Sequence, residues 1–367
     1  VFKAKDWKQL RNYTNMLAML SMSGIPLQAD TRDSSFPLVI AGGPCVVNPE
    51  PLHEFVDVFV IGEAEEVIVE IVHLYEEHKA RFKSQEFGKE ELLQRLSRIQ
   101  GVYVPSLYEV RYTAQGTIAS FTPIRKDIPA QVKKRFVKDL DTAAFPTHWV
   151  VPYIQIIHDR ITLEIMRGCP NKCRFCQARV QYYPFRQRKV KEVIRLAEET
   201  YRKSGYEEIS LCGLSVSEYY AIGELIESLI NSCKSKTVSV SLPSIQPKII
   251  LEHLSSLIAT IKKTGLTFAP EAASGRLREI LSKDFDMQDF FSVLEKAYAA
   301  GYQRVKLYFM IGVPYETSHD LEEIVTMACE VSELKRKIRR HAAQVNISIN
   351  TLIPKPHTPF QWLKIQG

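Results

Sequence analysis

The 367 residues carry 48 Lys and Arg against 42 Asp and Glu, a formal net charge of +6, and 45% of the chain is hydrophobic. That length holds two or three domains with sizeable cores, and so mild a charge permits an anionic or nucleic-acid partner without arguing for one. No apolar run approaches the ~18 residues that cross a bilayer, no signal-peptide pattern opens the chain, and seven cysteines are too sparse for a disulfide scaffold.

Residues 8–20 place Leu10, Tyr13, Met16, Leu17 and Leu20 at helical spacing, ended by Gly24-Ile25-Pro26. Residues 37–41 read as a strand running into Gly42-Gly43. Residues 57–61 read as a second strand closed by Gly62-Glu63, and 65–78 as a helix with Val67, Ile68, Ile71, Val72 and Tyr75 inside. Strand, glycine turn, strand and helix is the cadence of an open parallel α/β sheet, whose ligands bind beyond the strands' carboxyl ends. Residues 79–98 look helical. Residues 101–105, 108–113 and 117–122 alternate as strands, the last two joined by a turn at Ala114-Gln115-Gly116. Residues 125–141 show neither period and predict a linker with solvated lysines.

Six further apolar runs, at 161–166, 208–212, 237–242, 265–269, 304–310 and 345–352, alternate with amphipathic stretches. The stretches lie at 190–203, 217–233, 247–263, 275–300 and 318–340, the fourth long enough for two helices. Six strand–helix units predict a parallel sheet with right-handed crossovers, curled into a partial barrel. Chemistry in such barrels collects at the C-terminal ends of the strands.

The first of these strands runs into Arg167-Gly168-Cys169-Pro170-Asn171-Lys172-Cys173-Arg174-Phe175-Cys176. Gly168 and Pro170 end the strand and free the backbone to fold around a metal. Three thiolates suit a four-iron cluster with one open iron. A structural zinc would want a fourth ligand from a second pair, and Cys212, Cys233 and Cys329 are isolated. Zinc and an inert thiol cluster are the alternatives. Reduced thiols point to the cytoplasm.

Turns follow the next strands at Cys212-Gly213-Leu214-Ser215, Ser241-Leu242-Pro243-Ser244, Phe268-Ala269-Pro270-Glu271-Ala272-Ala273-Ser274-Gly275 and Met310-Ile311-Gly312-Val313-Pro314. Each alone is a turn; together, at successive strand ends, they favour one shared pocket. Between Gln177 and Lys191, Arg179, Tyr182, Tyr183, Phe185, Arg186, Arg188 and Lys189 interleave aromatics with cations. A lid on the barrel mouth with its cations in water is favoured over an RNA-binding surface. The cations Lys335, Arg336, Lys337, Arg339 and Arg340 complement a helix dipole and need no partner.

The C-x-x-x-C-x-x-C loop, with Phe175 before its third cysteine, resembles the cluster motif of the radical S-adenosylmethionine (SAM) enzymes. The resemblance is carried further by Ala41-Gly42-Gly43-Pro44, Asn48-Pro49-Glu50-Pro51, Val60-Ile61-Gly62-Glu63-Ala64-Glu65-Glu66, Thr267-Phe268-Ala269-Pro270-Glu271-Ala272, Lys306-Leu307-Tyr308-Phe309-Met310-Ile311-Gly312 and Pro354-Lys355-Pro356-His357-Thr358-Pro359-Phe360-Gln361-Trp362. These are similar to B12-binding-type radical SAM proteins over nearly the whole chain.

The resemblance implies an α/β protein in three parts. They are a truncated Rossmann-like, cobalamin-binding-like domain (1–80), an accessory helix, hairpin and linker (81–150), and a radical SAM partial (β/α)6 barrel (151–367). It implies a [4Fe-4S] cluster on Cys169, Cys173 and Cys176, and S-adenosylmethionine in a pocket of Phe175, Gly213, Ser241, Glu271 and Gly312. It also implies reductive SAM cleavage, then hydrogen abstraction or methyl transfer on an unknown substrate, with electrons from a donor such as flavodoxin or ferredoxin. Relatives use G-G-E after the second strand to hold the SAM amino group. Here one glycine stands and the glutamate is missing, with Glu218 as a substitute. No D-x-H-x-x-G loop supplies a corrin ligand, so cobalamin is expected only of a longer protein. The chain begins at Val1 and stops directly after a dense motif, which reads as a piece of such a protein. The competing readings are a non-catalytic cluster- or zinc-binding RNA-interaction protein and a methylthiotransferase-like RNA or protein modifier. The latter class carries a second cluster on three N-terminal cysteines, where only Cys45 stands here.

Overall fold

The computed structural model describes residues 7–83, 88–154, 156–233, 238–241 and 266–364. The chain divides into two compact units, Val1–Lys138 and Asp139–Gly367.

The first unit is built on a three-stranded sheet, β1 (Ile40–Ala41), β2 (Val58–Val60) and β3 (Val102–Tyr103), in that order. The β1–β2 pair is parallel, as the strand–turn–strand pattern predicts, whereas β3 joins β2 antiparallel. Central β2 is buried along its whole length, which is why it reads as an unbroken apolar run rather than an alternation. Val67 and Ile71 of α2 (Val67–Lys83) and Leu92 and Leu96 of α3 (Lys89–Leu96) belong to the same core. Helix α1 (Trp7–Met22) precedes them, and Tyr13 and Met16 pack against that core. Beneath the sheet Asp57 is clamped by two cations, with Arg32 Nη2 at 2.9 Å and Lys89 Nζ at 2.8 Å. The hairpin β4 (Tyr108–Tyr112) and β5 (Ile118–Pro123) stacks Tyr108 on Phe121, ring centroids 4.9 Å apart.

In the segment from 125 onward Lys126, Lys133 and Lys138 are exposed, as expected, but the chain there is not the free linker its lack of period predicts. Ile128 and Val137 are buried. The Arg135 N–H donates to the Ile61 carbonyl, and its guanidinium reaches Glu66 and Glu70, each at 2.7 Å. Val137 N–H donates to Glu63 Oε2 at 2.8 Å. A strap held by backbone pairing and ion pairs to distant residues leaves no hydrophobic period of its own to read.

The second unit has two parallel ladders. In one, β9 (Glu208–Cys212) lies between β6 (Ile161–Glu164) and β10 (Ser239–Ser241). In the other, β12 (Arg304–Ile311) lies between β11 (Leu266–Glu271) and β13 (Gln344–Thr351). All six runs expected as barrel strands form strands in sequential order. The helix expected over 247–263 lies outside the described residues. Among the described residues no pairing closes the two ladders into a barrel.

Helices cover one face of each ladder. On α5 (Val190–Ser204), Val190, Val193, Leu196, Ala197 and Thr200 form the buried stripe, and Gly205 at φ +72° ends the helix. With residues of α6 (Ile222–Cys233) they meet Ile161 and Leu163 of β6 and Ile209 and Leu211 of β9. Val305, Leu307 and Phe309 of β12 likewise meet α8 (Met287–Ala299) and α9 (Ser318–Arg339). A capping box between Thr317 and Asp320 starts α9, and Arg340 at φ +63° ends it. Because strand side chains alternate, the residues between these apolar ones line the opposite face. No helix among the described residues is long and apolar enough to cross a membrane.

Candidate metal centre

Strand β6 is followed by the two-residue strand β7 (Met166–Arg167), which pairs antiparallel with β8 (Arg186–Gln187). This pairing staples the base of the excursion 168–185, which carries the short helix α4 (Ala178–Gln181), so the cysteine loop leaves a fixed point at the C-terminal end of the first ladder strand. Gly168 opens the loop at φ +85°, with the Phe185 Cα and the Tyr182 carbonyl each 2.8 Å from where a Cβ would stand. Only glycine meets both demands. Arg167 grips Glu164 through two hydrogen bonds of 2.9 and 2.7 Å beside the exit.

Beneath the excursion lies Arg188, 1% exposed. Its backbone N–H donates to the Ile165 carbonyl at 2.8 Å, and its guanidinium donates to the carbonyls of Glu164 and Leu140. The expectation of a lid with all its cations in water is corrected here. Arg188 is a buried cross-link, its charge tolerated because carbonyl dipoles surround it. Arg186 also turns inward, donating to the Pro184 carbonyl at 2.9 Å, whereas Tyr183 is exposed. Lys335, expected to complement a helix dipole and to need no partner, is buried and donates to Gln303.

Cys169, Cys173 and Cys176 are all free and half-buried. The loop is tied to the second ladder at three points. Arg174 N–H donates to the Leu281 carbonyl at 2.9 Å and its guanidinium to the Ile280 carbonyl at 3.1 Å, capping the end of α7 (Gly275–Leu281). Gln177 reaches the Pro356 carbonyl at 3.3 Å. Phe175 packs into an apolar cluster of Ala272, Leu277, Leu281, Val313, Leu352 and Phe360, together with Met310. The thiols are thereby held over the ends of β11 to β13.

Burial pushes the Cys173 thiol up, and Cys176, Cys169 and Glu271 add to the shift while Lys283 opposes it. All four groups are therefore close enough for Cys173 to feel them. Among the described residues no three His, Cys, Asp or Glu side chains are placed to hold a single metal ion. One tetrahedral ion, with metal–sulfur bonds of about 2.3 Å, would draw its thiolates to about 4 Å of one another. A four-iron cluster takes each thiolate on a different iron, and three thiolates leave one iron open. Three free, half-buried thiols in one loop are the ligand number that such a cluster takes.

Of the residues expected to form the SAM pocket, Gly213, Ser241, Glu271 and Gly312 stand at strand ends, while Phe175 lies in the cysteine loop. Gly213 follows β9, with Met166 Cγ 2.5 Å from the position of a Cβ. Ser241 is the last residue of β10; its side chain lies outside the description. Glu271 ends β11 at φ +68°, a left-handed conformation that costs a non-glycine residue about 1–3 kcal/mol and collects at functional sites. Burial raises its carboxyl above the ordinary range, with Lys283 opposing. Gly312 follows β12 at φ +77°, and its N–H donates to Glu316 Oε1 at 2.9 Å. Glu218 ends a short turn after β9, and its carbonyl accepts from Gln187 Nε2 at 2.8 Å.

Sequence reading missed Lys283, the Arg174 cap and the Arg188 cross-link. For the first two, the pattern of a helix ending beside a loop cation was the available signal. Nothing in the sequence distinguishes Arg188 from its exposed neighbours.

Two family models match the chain: "Radical SAM proteins, N-terminal" over residues 10–105 and "Radical SAM superfamily" over residues 163–328. The uncharacterized protein MJ0966 of Methanocaldococcus jannaschii is 31% identical over 98% of this chain and 71% of its own length. Among solved structures, the radical SAM methyltransferase TsrM from Kitasatospora setae, with cobalamin and a [4Fe-4S] cluster bound, superposes with a TM-score of 0.58. It is 16% identical and covers 88% of this chain and 56% of its own. The cobalamin-dependent radical SAM enzyme OxsB, with aqua-cobalamin and SAM bound, gives a TM-score of 0.54 at 12% identity, over 98% of this chain and 51% of its own. The chain thus spans about half the length of these two structural relatives. The thiol loop at the end of the first ladder strand, the successive parallel strands and both family models agree: the chain belongs to the radical SAM superfamily.

Proposed function

We propose that this chain reductively cleaves S-adenosylmethionine at a [4Fe-4S] cluster on Cys169, Cys173 and Cys176, starting hydrogen abstraction or methyl transfer at an unactivated carbon. The observation that carries this reading is the set of three free, half-buried thiols in the loop that leaves the first ladder strand. When bound, the cluster supplies the electron that splits the sulfonium bond, and a donor such as flavodoxin or ferredoxin replaces it. The protein's part is to hold and enclose.

Arg174 and Gln177 fix the loop across the ladder ends. Phe175 and Met310 keep its inner side apolar and exclude water. Gly213, Ser241, Glu271 and Gly312 line successive strand ends where the amino acid and nucleoside parts of SAM are held. Gly312 lacks a side chain, so a ligand can lie against the backbone there, whereas the space beside Gly213 is taken by Met166. Glu271 is an acidic group available to a cationic part of SAM, at the end of the fourth strand of the set and not after the second, where relatives carry G-G-E.

Anaerobic reconstitution with iron and sulfide tests the ligand set. Four irons per chain are expected in the wild type, with loss of the cluster spectrum in Cys173→Ser. A zinc-loaded protein whose RNA affinity survives Cys173→Ser would instead support the binding-protein reading.

A further inference from the structure

The face of β12 turned away from α8 and α9 carries a lysine that the cofactor reading leaves unused. Val305, Leu307 and Phe309 enter the core beneath α8 and α9, so Lys306, Tyr308 and Met310 stand on the opposite face. Met310 packs in the same apolar cluster as Phe175. The face bearing Lys306 is therefore the one that runs down from the cysteine loop.

The surroundings of Lys306 are polar but supply no counter-charge. Asn346 stands opposite it on β13 and Thr267 opposite it on β11, while Ser348 stands opposite Tyr308. Lys306 Nζ lies 4.5 Å from the centroid of the Tyr308 ring. Among the described residues it has no carboxylate within ion-pair distance. A ring face attracts a cation, but it leaves the three ammonium donors without a strong acceptor. A partly buried ammonium on a polar sheet face, without a paired acid among the described residues, can receive an anion.

Resting on the SAM-cleaving reading of the thiol centre, we propose that Lys306 is a specificity-determining residue that binds a carboxylate or phosphate group of the substrate. Tyr308 packs against the atoms next to that group, and Thr267 and Asn346 flank it with hydrogen-bonding side chains. Four residues of strand separate Lys306 from Met310, a rise of roughly 13 Å. The substrate is therefore elongated, with its anionic end on the order of 10 Å from the carbon that reacts beside the cysteine loop.

Calorimetric titration of the full chain, reconstituted and in the presence of SAM, tests the site with phenyl phosphate, phenylacetate and the neutral control benzyl alcohol. At least one anion binds the wild type more tightly than benzyl alcohol does, and which one does so separates phosphate from carboxylate. Lys306→Gln weakens that binding roughly tenfold or more, as loss of a charged hydrogen bond requires. Lys306→Arg keeps it within about threefold, because the charge stays, and cluster absorbance is the same in all three proteins. The proposal is overturned if neither anion outbinds benzyl alcohol, or if Lys306→Gln binds as well as the wild type. If anions bind through Lys306 in a chain that takes up no cluster, the thiol reading falls and the anion site stands.

Discussion

A methyl group at position 213 would have to share space with Met166, standing 2.5 Å from its Cγ and 2.8 Å from its Sδ. Met166 is 1% exposed in the core below the cysteine loop, so it has little room to withdraw. Gly213→Ala is therefore expected to cost about 1–3 kcal/mol by overpacking. It should also weaken SAM binding while leaving iron content unchanged, read by thermal denaturation and equilibrium dialysis. Unchanged stability would mean that Met166 repacks freely. The same scale shows what a sequence can and cannot disclose. Cys169, Cys173 and Cys176 are legible because their spacing itself carries the chemistry. Arg188 is not, since its burial is set by the carbonyls of Glu164 and Leu140, which any sequence would supply.

At the scale of elements, the second unit was open to reading because each strand and helix carries its own period. Strand β9 spans Glu208–Cys212 and β12 spans Arg304–Ile311, within a residue of the apolar runs. The long stretch 275–300 resolves into α7 and α8, started by side-chain caps at Ser274 and Asp286. The first unit was harder. Strand β3 joins its sheet antiparallel, and the strap 125–138 is held by Arg135 rather than by an apolar stripe. There, Gly62 at φ +118° lies so close to the Arg135 backbone that any Cβ would collide with it. That unit also depends on a buried charge cluster. Asp57→Ala would leave the Arg32 guanidinium, 2% exposed, without its carboxylate. A loss of roughly 3–5 kcal/mol is expected. Urea denaturation measures it, and hydrogen exchange should confine the damage to residues 7–138, leaving the cysteine loop protected. Damage spread evenly over both units would contradict their separate cores.

At the scale of the whole molecule, the two units carry different prospects for cofactors. The first resembles a cobalamin-binding domain at Gly42-Gly43, where a Cβ would meet open space. Yet the sequence holds no D-x-H-x-x-G loop, and His53 already shares a 2.6 Å hydrogen bond with the Glu50 carbonyl. Hydroxocobalamin is thus expected to pass through a filter that retains the protein. Stoichiometric retention would show that the Gly42-Gly43 turn takes the corrin without a histidine. The second unit assembles the thiol loop, the strand ends and the row of Lys306 and Tyr308 in one body, and so should hold cluster and SAM whether or not corrin is present.

The most direct measurement is the fate of SAM given to anaerobically reconstituted protein with a strong reductant, followed by chromatography. The wild type is expected to yield 5′-deoxyadenosine or S-adenosylhomocysteine, and Cys169→Ser, Cys173→Ser and Cys176→Ser to yield neither. A wild type that holds a complete four-iron cluster and returns SAM intact, or a serine variant that still consumes it, would contradict SAM cleavage at this centre.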